Sequence, residues 1–273
     1  MKTIIVPTDF SPVAANALNY AVNMALSINA SILLFHTYQI PVTVTDTPLL
    51  MISVDDLKAD AEKRLEHARQ ELEHVTSGRL KIYAEARLGN VTDELEEICR
   101  KIQPFAIVMG TTGHSAVERV IFGSNTLSVI RHISSPVICV PTGREFGTGI
   151  KKIGLASDFR EVVETVPVDT IKLFVAQFNA ALHVLNIHYQ ELPAELPEQS
   201  ALLQTAFADL KPEYHFIEHK DIEQGVHEFA EKNNLDLIIT IPKKHKLLEG
   251  IFKKSSTKQL IYHSHIPVMS LHN

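Results

Sequence analysis

The feature that most constrains this chain is that it runs through one series of elements twice. Lys152–Asp158-Phe159 repeats Thr3–Asp9-Phe10, and Leu182–His188 repeats Ile32–Tyr38. Tyr214–His219 stands where the first copy has its third strand. Asp221–Asn233 follows as a helix with Ile222, Val226 and Phe229 on one face. Leu235–Ile241 and Pro267–Leu271 answer the fourth and fifth strands. A repeat this long makes each copy a unit with its own core, and 273 residues divide into two units of about 130–140. The expected domains are residues 1–142 and 150–273, joined by the short linker Gly143–Gly149. The second copy is shorter, and the missing length is expected mainly in the loop Gln39–Ser53.

Within the first copy, strands and helices alternate. Thr3–Pro7 is a β-branched buried strand. Ser11 suits a helix N-cap and Pro12 the first helical position, where a missing N–H costs nothing. Ala14, Leu18, Ala21, Val22 and Ala25 then follow at helical spacing. Ser31–Tyr38, Lys81–Leu88, Phe105–Met109 and Pro136–Pro141 read as strands, and Val54–His74 as a charged amphipathic helix. After Gly89, Val91, Leu95, Ile98 and Ile102 form one apolar stripe, with Asn90 as cap, acids early and bases late. Such alternation predicts an α/β fold: two tandem doubly wound domains, each with a five-stranded parallel sheet in the order 3-2-1-4-5, flanked by helices.

The candidate site is the segment Gly110-Thr111-Thr112-Gly113-His114 to Phe122-Gly123-Ser124-Asn125. Its spacing is G-x2-G-x9-G-S, and it runs from a buried strand to the start of the helix Ser124–His132. Glycines there allow positive φ and close backbone approach to a ligand. Free N–H groups at the helix start suit a phosphate. In an open parallel sheet ligands sit at the carboxyl ends of strands, near the switch in strand order. Asp9, just past strand one, would face the glycine loop and accept ribose hydroxyls or hold Mg2+. Thr37, ending strand two, would sit beside the base.

Pro7-Thr8-Asp9-Phe10-Ser11, the strand Leu33-Leu34-Phe35-His36 and the loop Gly110–Asn125 resemble the ATP-binding class of universal stress proteins. The resemblance covers both halves, but its glycine motif stands only in the first. It implies a stress-response role and ATP held between the loop and the strand-one Asp. Thr8, Asp9 and Thr37 would touch the nucleoside. Gly110, Thr111, Gly113, His114, Gly123, Ser124 and Asn125 would surround the phosphates, with Mg2+ as companion. It also implies pairing through fifth strands, here within one chain, with a further homodimer and a protein partner left open.

In the second copy Gly110 becomes Ile241, Gly113 becomes Lys244, Gly123 becomes Lys254 and Thr37 becomes Ile187, whereas Asp158 and Ser255 persist. No ATP site of this type is expected there. Lys243, Lys244, Lys246, Lys253 and Lys254 surround one loop, read as solvated rather than as an anion site. Of fourteen histidines, His215 with His219 and His263 with His265 share predicted strand faces, but neither pair completes a ligand set, and no metal site is assigned. Cys99 and Cys139 have no motif spacing and read as small buried side chains.

A formal net charge of -6 gives no general pull towards nucleic acid or an anionic membrane. The start MKTIIVPTDF does not read as a secretory signal, and the expected location is cytoplasmic. No nucleophile, base and orienter stand together, so turnover is expected to be at most weak ATPase or autophosphorylation. Two alternatives stay open: an adenine-nucleotide-dependent transferase or ATPase, and a nucleotide-free scaffold or carrier of another small ligand.

Overall fold

The computed structural model describes residues 1–40, 53–111, 124–157, 165–188, 196–242, 260–261 and 264–272. In the first half the elements are β1 (Thr3–Pro7), α1 (Pro12–Ile28), β2 (Ser31–Tyr38), α2 (Val54–Val75), β3 (Ile82–Leu88), α3 (Val91–Ile102), β4 (Ala106–Thr111), α4 (Ser124–His132) and β5 (Val137–Pro141). The second half contributes β6 (Lys152–Ala156), α5 (Val168–Phe178), β7 (Ala181–His188), α6 (Leu196–Ala206), a short 3-10 turn, β8 (Glu213–Glu218), α7 (Ile222–Lys232), β9 (Leu237–Thr240) and β10 (Val268–Ser270).

Local chemistry sets the ends of these elements. Ser11 caps α1 by accepting the Ala14 N–H at 3.2 Å, and Asn29 stops it in the left-handed conformation. Asn90 caps α3 through the Thr92 N–H at 2.8 Å, and Asp221 caps α7 through two N–H groups. Strand residues alternate between the two faces of the sheet. Ile4 and Val6 join a core with α1, α2 and α5, while Ile5 joins the opposite core with α3, α4 and α7.

All ten strands form one sheet in the order β3-β2-β1-β4-β5-β10-β9-β6-β7-β8. Each half is parallel and doubly wound in the expected order. The halves meet where β5 pairs antiparallel with β10, Cys139 opposite Val268 and Val137 opposite Ser270. Behind that seam Phe105 of the first half stacks on Phe174 of the second, ring centroids 4.3 Å apart. The segment Gly143–Gly149 is not a free tether: Phe146 is buried and packs its ring edge-on against Tyr20, 5.2 Å away.

The shortening falls between β7 and β8, which are separated by 24 residues where β2 and β3 are separated by 43, whereas β6 and β7 are separated by 24 residues and β1 and β2 by 23. One expectation changes: Gly110 lies in β4 rather than in the loop after it. It pairs with Val140, and the ladder continues to Thr111 opposite Pro141.

Candidate functional site

The site is built where β1 ends. Thr8 is tied to β2 twice: its N–H donates to the Phe35 carbonyl at 2.8 Å, and its carbonyl accepts from His36 Nδ1 at 2.7 Å. Its hydroxyl accepts the Phe10 N–H at 2.9 Å, which holds Phe10 at a φ of 64°. A non-glycine residue pays for that conformation, and the packing compensates. The Phe10 ring lies 4.8 Å from that of His36, with the Arg64 guanidinium 4.1 Å above it. Asp9, exposed at this corner, accepts the Ser11 N–H at 2.9 Å. Partial burial opposes its ionisation. Hydrogen bonds from Ser11 and the backbone, with the nearby His36, outweigh that and hold the carboxyl below its ordinary value. Asp9 is therefore a carboxylate at neutral pH.

β1 and β4 part company before their ends. β1 pairs with β2 as far as Pro7 opposite Phe35, but with β4 only through Ile4 opposite Ala106 and Ile5 opposite Ile107. Alternation gives the reason. The Thr3 carbonyl accepts from Phe105 on the β4 side, so residues 3, 5 and 7 turn their backbone groups towards β4. Pro7 has no N–H to offer, and the ladder stops there. The crevice thus opens at the switch in strand order, with Thr8 and Asp9 on one lip and Gly110 and Thr111 on the other.

The ends of the glycine segment are brought together across that lip. Thr126, two residues into α4, is buried and donates its hydroxyl to the Gly110 carbonyl at 3.4 Å. Thr142 similarly holds the Thr111 carbonyl at 3.0 Å. The start of α4, Ser124 and the exposed Asn125, is therefore fixed beside the carboxyl end of β4. Gly110 has a packing role. A Cβ there would lie 2.6 Å from both the Val13 carbonyl oxygen and Val13 Cγ1, so α1 can rest on β4 only if that residue is glycine. The Thr111 hydroxyl is buried and directed to the Val140 carbonyl at 3.4 Å. Thr37 is half-buried near the end of β2. Gly113, His114 and Gly123 lie outside the described residues.

The sequence reading missed Thr126, Val13 and the His36–Phe10–Arg64 stack. Thr126 left a signal: a polar residue on the buried stripe of a short helix. Arg64 left none, because only the packing of α2 brings it to the corner.

The second half keeps the corner but not the crevice. Ser157 repeats Thr8, its N–H donating to the Leu185 carbonyl at 2.9 Å, and Asn186 repeats His36 by donating to the Ser157 carbonyl at 3.0 Å. Ala156 stands for Pro7, and the β6–β9 ladder runs through to Ala156 opposite Thr240. Ile187, in place of Thr37, is buried against the close approach of Gly225. Asp158, Lys243, Lys244, Lys246, Lys253, Lys254, Ser255 and His263 lie outside the described residues. Both cysteines are buried, and burial raises each thiol, Cys139 to about 12. They are inert packing groups. Among the described residues no helix is long and apolar enough to cross a membrane.

Two doubly wound units sharing one sheet, with strands that part at the switch point of the first, define a tandem α/β protein. The universal stress protein family model matches residues 1–141 and 173–272, and the chain belongs to that family. A universal stress protein of Methanocaldococcus jannaschii is 30% identical over 142 residues, 51% of this chain and 81% of that protein. The fold is similar to a universal stress protein from Archaeoglobus fulgidus, with a TM-score of 0.77 at 17% identity, covering 99% of this chain and 98% of that one. A Pseudomonas aeruginosa protein is similar at a TM-score of 0.64 and 13% identity, covering 99% and 93%.

Proposed function

We propose that the first half is an ATP-binding regulatory unit and that the second half is its nucleotide-free companion. One observation carries the reading: the first half parts its strands at Pro7, between the Asp9 carboxylate and the fixed start of α4, while the second half zips the same position shut. In that crevice Asp9 would accept the ribose hydroxyls and Thr8 and Thr37 would line the nucleoside. The N–H groups at the start of α4, with Ser124 and Asn125, would meet the phosphates, because an N-terminus carries unpaired donors and a positive dipole end. Gly113, His114 and Gly123 complete the proposed loop, and Mg2+ would screen the phosphate charge. Gly110 serves by letting α1 lie against β4. The bound nucleotide would set the state of the loop, and a partner would read that state in a stress response. The same chemistry suits a protein acting in the cytoplasm.

Thermal unfolding with and without MgATP tests this. Ligand at about 100 times its dissociation constant adds roughly 2.7 kcal/mol. The melting point should rise by several degrees in the parent and stay fixed in Asp9→Ala and Gly113→Lys. A nucleotide-stripped parent that melts unchanged in saturating MgATP overturns the reading.

A further inference from the structure

The second half carries a side-chain cluster unrelated to the crevice. His183 on β7 is the register partner of Glu213 on β8, and His215 follows two residues later on the same face. His183 Nδ1 stands 3.2 Å from His215 Nε2 and 3.6 Å from Glu213 Oε2, and the last two atoms are 3.8 Å apart. We propose that His183, Glu213 and His215 form a Zn2+ site that ties the edge strand β8 to β7.

Three lines of geometry and chemistry support it. First, the circle through those three atoms has a radius of about 2.1 Å, so a single ion can reach all three at the ordinary zinc–nitrogen and zinc–oxygen distances without moving the backbone. Two imidazoles and a carboxylate are also a donor set suited to a borderline divalent ion, with water completing a tetrahedron.

Second, the surroundings are graded from dry to wet. The side chain of His183 is 7% exposed, that of His215 is 24% and that of Glu213 is 69%. An ion can enter from the Glu213 side and meet a rigid floor. The Phe229 ring of α7 lies 4.5 Å from that of His215 and fixes one wall. Lys152 on β6 is held on the Asn233 carbonyl at 2.9 Å.

Third, His183 Nε2 is buried with no hydrogen-bond partner among the described residues, so the polar contacts of the ring run through Nδ1, the atom that faces the cluster.

The three residues stand at the beginnings of β7 and β8, whereas ligand crevices in such sheets open at strand carboxyl ends. The proposed role is therefore structural. β8 is an edge strand with β7 as its sheet neighbour, and a shared ion would hold it in register. The sequence suggested pairing His215 with His219. Instead His219 accepts the Asp221 N–H at 3.0 Å and sits by the start of α7, and the partner of His215 comes from the neighbouring strand.

The test uses the full chain, stripped with a chelator and free of nucleotide. Zn2+ is titrated in competition with a chromophoric chelator, and Co2+ is added separately to read the coordination geometry by visible absorption. The expected result is one ion per chain, with a tetrahedral Co2+ spectrum. His215→Ala and Glu213→Gln should each weaken binding by at least about tenfold, since even the loss of a residue that only supports a ligand costs 10–100-fold. His67→Ala, on the exposed face of α2, should bind like the parent. Glu213→Gln keeps size and shape at an exposed position, so its circular dichroism and melting without metal should match the parent. At one fixed Zn2+ concentration the melting point should rise more in the parent and in His67→Ala than in either ligand variant. No stoichiometric binding overturns the proposal, and so does binding that both ligand variants leave unchanged.

Discussion

The carboxyl ends of β1 and β6 are the same corner built twice, and they differ at one backbone atom. In both halves the residue after the strand donates its N–H to the neighbouring strand and accepts a side-chain hydrogen bond in return, from His36 in one case and Asn186 in the other. In the first half Pro7 has no N–H to give β4 and the strands separate. In the second, Ala156 continues the ladder. The fold is thus maintained by features common to both halves, while the two halves differ in where the pairing of their central strands stops. The matching residues near the ends of β2 and β7 differ in the same sense: Thr37 is half-buried, and Ile187 is buried.

The largest effect should come from the seam that makes the halves one body. Phe174→Ala removes a fully buried ring stacked on Phe105, and should cost about 3–5 kcal/mol. If the halves unfold together, probes in each will shift to the same lower urea midpoint. A shift confined to the second half would show that they unfold separately.

Exchanging residues between the corners should cost less. Ala156→Pro removes a donor from a formed ladder and leaves a carbonyl unpaired, a loss of about 1–3 kcal/mol in urea unfolding. Pro7→Ala should leave stability nearly unchanged and weaken ATP binding, as the first crevice becomes free to close. Gly110→Ile forces a side chain against the Val13 backbone and should cost about 1–3 kcal/mol by overpacking. Equal, negligible effects of all three would break the comparison.

The shared lock predicts a smaller and similar pair of losses. His36→Ala and Asn186→Ala should each cost about 1 kcal/mol, the latter more because Asn186 is buried.

The smallest effect is in acid. Asp9 has its carboxyl held below the ordinary value in the folded chain, so its contribution is complete above about pH 4 and is lost as pH falls through the folded value. Asp9→Asn should flatten that part of the stability profile and leave the neutral region alone. Retention of the full acid slope would show that Asp9 is not the group responsible.

Much of this was legible in the sequence. The repeat, the strand order and most element ends followed from β-branched runs, the Ser11 and Asn90 caps and the stripe of α3, because each is a local signal. Asp9 and the start of α4 could be assigned to one end of the sheet from topology alone. What could not be read depends on neighbours distant in the chain. The motif puts Gly110 in the candidate site, but it does not reveal that the missing side chain also answers the approach of Val13 from α1. The role of Pro7 appears only once register shows which strand it faces. His183 and His215 meet because β7 and β8 pair, at a sequence distance no spacing rule covers. The helix α6 leaves little signal in the sequence, because Leu196–Ala206 has only a weak apolar stripe.

The most direct test of the central claim is the number of ATP molecules bound per chain, measured by titration calorimetry with Mg2+ present. The account predicts one site, lost in both Asp9→Ala and Gly113→Lys while their folds persist. Two sites, no site in a nucleotide-free preparation, or one site untouched by those substitutions would contradict it.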